Sequence, residues 1–248
     1  MIEFDKISDF FSEFYDFKLS DERSYFDFHL HTTQAKGRGS LPFYLEFLKG
    51  KHHLIAITDH NEIKGAISVA EAGINNVPAI ELACKDGFEI LIYFRKLQDL
   101  EDFYIREVEC RKHFCRMERT DKDIEYYLDA LVGRDCYLSI PHINGLAENN
   151  YLQNKPYIKK ILTRVDAIET YNHSLPKNRN INAQIIRRSY ELDATFGSDS
   201  CTNRDIESFY RLLNQELRRQ HKWMESLKLP LGSDRLYKSS LSHKGNSD

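Results

Sequence analysis

Apolar and polar positions alternate along this chain in short blocks, not in one long period. Runs of strand length, rich in β-branched and aromatic residues, recur over 25–30, 54–58, 77–80, 88–94, 137–140, 167–170 and 194–196. Each is largely apolar, as strands covered on both faces are. Helical spacings lie between them, and the alternation predicts an α/β fold whose seven strands suit a barrel. Between the fourth and fifth strands a polar insertion spans about 98–134. Its second half starts at Thr120, with Asp123 placed for a capping box. Ile124, Tyr127, Leu128, Leu131 and Val132 then predict an amphipathic helix packed on the body. Ile206, Phe209, Tyr210, Leu213 and Leu217 predict a final helix over about 203–222, capped by Thr202 or Asn203. From 233 to 248 the composition turns to Ser, Lys, Asn and Gly without apolar period, and a disordered tail is expected. Residues 1–232 then make one domain.

Length agrees with a single core. The 248 residues, 41% apolar, suffice to close one core of barrel size. Thirty-five basic against thirty-eight acidic residues leave a formal net charge of −3, which excludes a protein that coats nucleic acid or acidic membranes by charge alone. The longest apolar runs fall far short of the roughly twenty residues of a membrane-spanning helix. Glu3, Asp5, Asp9, Glu13 and Asp16 stand where a signal peptide would have a basic start, so a cytoplasmic location is expected. Five scattered cysteines, Cys84, Cys110, Cys115, Cys136 and Cys201, are expected as reduced thiols. Cys110, His113 and Cys115 have no second ligand pair at zinc-finger spacing.

The chemistry concentrates at strand ends. Phe26-Asp27-Phe28-His29-Leu30-His31-Thr32 delivers two imidazoles at i and i+2 on one face. Such a pair can share a metal, although ordinary strand polarity also explains it. Thr58-Asp59-His60-Asn61, Pro78-Ala79-Ile80-Glu81, Glu89 in the fourth strand, Pro141-His142 and Gly197-Ser198-Asp199 repeat the pattern. Carboxyl ends of barrel strands converge on one rim, so these histidines and carboxylates imply a metal cluster there. Lys36, Arg38 and Lys64 follow the first two strands and are candidate phosphate clamps, against the alternative of solvated loop cations. Asn172 and His173, with Lys177 and Arg179, form a polar loop after the sixth strand and are candidate substrate contacts. His52, His53, His113, His221 and His243 read as surface residues. No P-loop, Gly-x-Ser-x-Gly elbow or dinucleotide fingerprint is present.

The ordered set Asp27-x-His29-x-His31, Thr58-Asp59-His60-Asn61, Pro78-x-x-Glu81, Pro141-His142, Ile168-Glu169-Thr170-Tyr171-Asn172 and Gly197-Ser198-Asp199 resembles the polymerase and histidinol phosphatase (PHP) family over residues 24 to 202. The resemblance implies a distorted seven-stranded (β/α)7 TIM-like barrel that holds two or three divalent metals and hydrolyses phosphate esters. It makes His29, His31, Glu81 and Asp199 the ligands of a first metal, with Glu81 bridging to a second held also by His142. Glu89 stands where the family has a histidine and is the replacement ligand, which tilts the site from zinc toward manganese or iron. Only His60 and Cys201 remain of a third site, so that site is expected to be weak, and Cys201 is equally explained as a small buried cysteine. Asp27 and Asp59 are expected to orient imidazole N–H groups, and His60 to protonate the leaving group.

The expected reaction is phosphoester hydrolysis by a hydroxide bridging two Mn, Fe or Zn ions about 3.5 to 4 Å apart, with catalytic roles for His60, Asp59 and Arg38. The substrate is a small phosphomonoester or nucleotide, or else a DNA or RNA end. Arg211, Arg218, Arg219, His221, Lys222 and Trp223 form a modest basic patch on the final helix that leaves nucleic acid open, although a solvated helix face is the favoured reading. The contrasting class is a non-catalytic, metal-containing module that binds a protein through the insertion or the final helix.

Overall fold

The structure, a computed structural model, describes residues 1–14, 23–33, 39–113, 116–200 and 202–228. All seven expected strands form: β1 (Ser24–Leu30), β2 (His52–Ile57), β3 (Ala79–Ala83), β4 (Glu89–Phe94), β7 (Cys136–Ile140), β8 (Ala167–Asn172) and β9 (Asp193–Gly197). A short hairpin, β5 (Lys112–His113) and β6 (Arg116–Thr120), lies in the insertion. The helices are α1 (Asp9–Ser12), α2 (Leu41–Leu48), α3 (Lys64–Glu71), α4 (Leu97–Phe103), α5 (Ile124–Ala130), α6 (Tyr151–Asn154), α7 (Ile158–Leu162), α8 (Lys177–Tyr190) and α9 (Asn203–Lys228).

The strands of the expected distorted (β/α)7 barrel form no single closed sheet among the described residues. β1 and β2 pair in parallel as one sheet, and β3, β4, β7, β8 and β9 form a second in that order. Isolated bridges link the two sheets among the described residues: Ile55 with Asn76, His60 with Glu81, and Leu30 with Ser200. Continuous ladders fail where the chain leaves strand geometry to present the site. The β1–β2 register shifts between Asp27 and Leu30, and the β8–β9 register between Glu169 and Tyr171. Such bulges re-aim side chains, and these two flank His29 and Glu169.

A correction concerns direction. β4 runs antiparallel to both β3 and β7. The turn between β3 and β4 closes through the Gly87 N–H on the Cys84 carbonyl at 3.0 Å. Gly87 has φ +82°, a conformation that favours glycine. Glu89 therefore opens its strand, and in an antiparallel strand that amino end lies at the rim where its parallel neighbours have their carboxyl ends. β3 extends past the expected 77–80, so Glu81 lies within the strand.

The insertion is more structured than one helix. α4 continues through a π turn, Tyr104–Val108, and a 3-10 turn, Glu109–Arg111, before the hairpin. Asp123 is itself the N-cap of α5, its Oδ1 accepting from the Tyr126 N–H at 2.9 Å. Val132, expected on the packed face, lies past the helix end and is exposed. Thr202 caps α9, accepting from the Asp205 N–H at 3.3 Å, and α9 runs beyond the expected 222 to Lys228. The expected tail, 233–248, lies outside the described residues.

An aromatic core lies beneath the rim. Phe28 stacks on Phe11 with centroids 4.2 Å apart and meets Phe196 edge-on at 5.0 Å. Phe10 and Phe11, on α1, pack on Tyr137 at the amino end of β7 and so close the end of the sheet opposite the site. Burying such rings contributes about 1.5 to 3 kcal/mol each by area, and the rigid layer they form holds the strands that carry the polar rim. No described helix is long and apolar enough to cross a membrane.

Candidate metal centre

Four imidazoles surround one carboxylate. Glu81, fully buried, directs Oε2 toward His29 Nε2 at 3.3 Å, His31 Nε2 at 3.4 Å and His60 Nδ1 at 3.2 Å. Its other oxygen, Oε1, lies 3.3 Å from His142 Nε2, which is also 3.3 Å from Glu89 Oε2. Asp199 Oδ1 closes the first group at 3.3 Å from His31 Nε2 and 3.6 Å from His29 Nε2. Three sets of donors therefore converge tightly: His29, His31 and Glu81; His29, His142 and Asp199; and Glu81, Glu89 and His142.

These residues fit a divalent cation on a direct observation. Glu81 Oε2, His29 Nε2 and His60 Nδ1 are buried, lie together and make no hydrogen bond. Buried polar atoms left in that state are costly unless another partner satisfies them. Ligands sharing one ion at metal–ligand distances of about 2.1 Å stand about 3.0 to 3.4 Å apart, which is the spacing seen.

The charge balance points the same way. Burial alone would raise the Glu81 carboxyl, yet His60 and His29 beside it hold it well below the usual carboxylate range. Burial would lower His142, but Glu81 and Glu89 outweigh this and lift it to about 9. His29 and His31 are likewise raised against burial, by Glu81, Glu169 and Asp199 for the first and by Asp199 and Glu81 for the second. His60 alone is lowered, by burial. Without metal the carboxylates favour the protonated form of His29, His31 and His142, and cations replacing those protons would satisfy the same acids.

Supporting bonds fix the donors. Glu169 Oε1 accepts from His29 Nδ1 at 2.9 Å, which turns Nε2 into the cluster. Glu169 Oε2 accepts from the His142 N–H at 2.8 Å and from Asn172 Nδ2 at 2.9 Å. Asp199 Oδ2 accepts from Asn172 Nδ2 at 3.1 Å and Ser174 Oγ at 3.0 Å, leaving Oδ1 for the histidines. His142 (φ 32°), Asp199 (φ 48°) and Asn61 (φ 51°) adopt left-handed backbone without being glycine. Such conformations cost about 1 to 3 kcal/mol each and persist where surrounding bonds enforce them. The cluster opens to solvent at His60, Asp199 and Glu89, whose side chains are 19%, 22% and 10% exposed.

Other expected site residues lie elsewhere or act differently. Asp27 accepts from Tyr25 Oη at 2.6 Å and from the backbone N–H of His29 and Ser198, so it holds backbone and not an imidazole. Asp59 accepts from the Thr32 N–H at 2.6 Å and its Oγ1 at 2.5 Å, clamping the loop after β1. Lys64 is exposed and 3.7 Å from Glu62. His173 is engaged by Ser208 Oγ at 3.1 Å and stacks toward Tyr171, on the side of α9. Asn172 is buried and braces Asp199, as above. His53, expected at the surface, is half-buried between the Lys51 carbonyl and the Asn75 N–H. Lys36, Arg38, Cys115 and Cys201 lie outside the described residues. Glu169 is the site residue whose role the sequence did not assign.

No protein-family model and no curated protein matches the sequence. Solved structures do match in fold. A Bifidobacterium adolescentis protein provisionally described as a metal-dependent phosphoesterase aligns over 72% of this chain and 87% of its own, with 13% identity and TM-score 0.53. The two chains share a fold. The lesion-specific endonuclease Q of Pyrococcus furiosus aligns over 71% of this chain at 13% identity and TM-score 0.55. An endonuclease Q complex with a 27-mer duplex carrying an abasic lesion aligns over 71% at 14% identity and TM-score 0.56. This chain spans about half of each endonuclease chain, 48% and 49%. At the level of fold these likenesses bear out the PHP resemblance of the motifs.

Proposed function

We propose that this protein is a metal-dependent phosphoester hydrolase working through two divalent cations bridged by Glu81. The observation that carries the reading is the split of that carboxylate, Oε2 among His29, His31 and His60 and Oε1 at His142. His29, His31, Asp199 and His60 would hold one cation with Glu81, and His142 and Glu89 the other. Bound there, the ions supply Lewis acidity that lowers the pKa of water and neutralises charge on phosphoryl oxygens. Mixed imidazole and carboxylate donors suit manganese, iron or zinc.

The chain's own groups do the positioning. Glu169 fixes the His29 ring, and Asn172 with Ser174 fixes Asp199, so the donor set is assembled before substrate arrives. His60 points Nδ1 into the cluster, which supports a ligand's role for it over that of leaving-group acid. Solvent reaches the centre past His60, Asp199 and Glu89, and the scissile phosphate is to enter there.

The substrate class is a phosphate ester, either a small phosphomonoester or a nucleic-acid strand. The likeness to endonuclease Q, which is crystallised with lesion-bearing duplex, favours keeping the second. Purified protein loaded in turn with manganese, iron and zinc is to be assayed on nitrophenyl phosphate esters, nucleotides and DNA and RNA ends. Release from one of these, lost in a folded His29→Ala variant, supports the reading; no release with any metal counts against it.

A further inference from the structure

Two cations bond to the turn that joins β3 to β4 and have no carboxylate partner among the described residues. Arg119, on β6, donates through Nη1 to the Cys84 carbonyl at 3.2 Å. Lys155, closing α6, donates through Nζ to the Asp86 carbonyl. Neither forms an ion pair among the described residues. Asp86, in the same turn, accepts at Oδ2 from Tyr157 Oη at 3.2 Å and from the Ile124 N–H at 3.4 Å, and its Oδ1 is buried without a hydrogen bond. Both cations are part-buried, and Lys155 Nζ also lies 5.4 Å from the centroid of the Phe88 ring. Each backbone bond uses one donor of the three on a lysine or the five on an arginine.

The floor between them is Gly87. A β-carbon built there would stand 2.5 Å from Lys155 Nζ and 3.7 Å from Arg119 Nη1, so the lysine ammonium lies against the glycine with the arginine just beyond it. This cradle adjoins the metal centre. Gly87 is two residues from Glu89, one of the three candidate ligands at the open mouth. The helix that carries Lys155 also carries Tyr151, whose hydroxyl accepts from the Glu89 N–H at 2.9 Å, while the Lys155 N–H bonds to the Tyr151 carbonyl at 3.0 Å. One short helix thus braces Glu89 at the mouth and places a cation at its edge.

We propose that Arg119, Lys155 and the Gly87 turn form an anion subsite that binds a phosphate group other than the one hydrolysed. The inference rests on the hydrolase reading only for what that phosphate is attached to, an ester carrying a second phosphate. Arginine and lysine converging on one turn suit phosphate, which takes several charge-assisted hydrogen bonds at once.

The test separates the subsite from catalysis. Chelator-treated, metal-free protein labelled with ¹⁵N is titrated with inorganic phosphate at constant ionic strength while the Gly87 amide is followed. A saturable shift is expected, weakened at least fivefold in Arg119→Gln and in Lys155→Gln and retained in Arg119→Lys and Lys155→Arg. An unsaturated or absent Gly87 shift in the wild type, or equal binding by the glutamine variants, overturns the subsite. If those variants do not fold, the wild-type titration and the charge-keeping pair decide. In metal-loaded protein, the ratio of kcat/KM for a 5′-phosphorylated dinucleotide to that for nitrophenyl phosphate is expected to fall at least tenfold in Lys155→Gln. An unchanged ratio overturns the link to substrate. Phosphate binding at Gly87 without any hydrolysis would leave the subsite standing and remove the hydrolase reading instead.

Discussion

Glu169 and His29, 140 residues apart in sequence, meet in a fully buried contact of 2.9 Å between Oε1 and Nδ1. This bond sets which imidazole nitrogen faces the cluster. A carboxylate behind a ligating histidine typically accounts for a 10- to 100-fold effect on metal affinity. Glu169→Gln, which keeps shape but loses charge, is expected to weaken metal binding by about that factor, read by competition with a chromophoric chelator. Affinity within twofold of wild type would show that His29 is oriented some other way.

Glu81→Gln tests the bridge. A neutral amide is a poor partner for two cations, so both sites are expected to weaken together, whereas Glu89→Gln weakens only the site shared with His142. Metal-to-protein ratios by elemental analysis check it. Loss of a single equivalent in both variants would place Glu81 in one site only.

How much of this was legible beforehand follows from particular residues. The His-x-His on an apolar strand, and Asp59, Glu81, His142 and Asp199 near strand ends, could be read because strand period and strand ends are local properties. The direction of β4 was misread, although Asp86-Gly87 between two apolar runs is a hairpin signal. Glu169 was in the motif but given no role, because a carboxylate inside an apolar strand declares its partner only when a distant strand is brought beside it. Asp27 and Asp59 next to histidines suggested imidazole partners. Their bonds go instead to Tyr25 and backbone N–H groups for Asp27 and to Thr32 for Asp59. Ring closure failed for a similar reason: bulges at His29 and Glu169 leave no trace in the hydrophobic pattern.

Gly197 permits the close approach of β9 to β1. A β-carbon there would stand 2.7 Å from the His29 nitrogen and 2.9 Å from its Cα, and backbone cannot yield as a side chain can. Gly197→Ala is expected to destabilise the metal-free protein by about 1 to 3 kcal/mol and to weaken metal binding through His29. Urea unfolding with and without manganese reads both; stability at the wild-type level would mean that the strands separate freely.

Metal-free and metal-loaded protein are expected to respond oppositely to pH. In the metal-free protein His29, His31 and His142 have raised values, the last about 9. Their contribution is complete below the unfolded value of about 6.5 and is lost as pH rises toward 9. Glu81, lowered chiefly by His60 and His29, and Asp199, lowered chiefly by His29 and His31, contribute above about pH 4 and lose that contribution on acidification. Metal must displace the imidazole protons, so affinity, and with it stabilisation by excess metal, rises with pH. Thermal unfolding from pH 6.5 to 9 is expected to show the midpoint falling without metal and the increment from added manganese growing. An increment that shrinks with pH would mean that these histidines do not bind the metal.

Two cations bridged by Glu81 are the core of the account, and anomalous diffraction from manganese-loaded crystals tests them most directly. Two peaks about 3.5 to 4 Å apart are expected, one on each side of the Glu81 carboxylate, with His29, His31, His60 and Asp199 around the first and His142 and Glu89 around the second. A single peak, peaks that Glu81 does not touch, or a third fully occupied peak bound by Cys201 would contradict it.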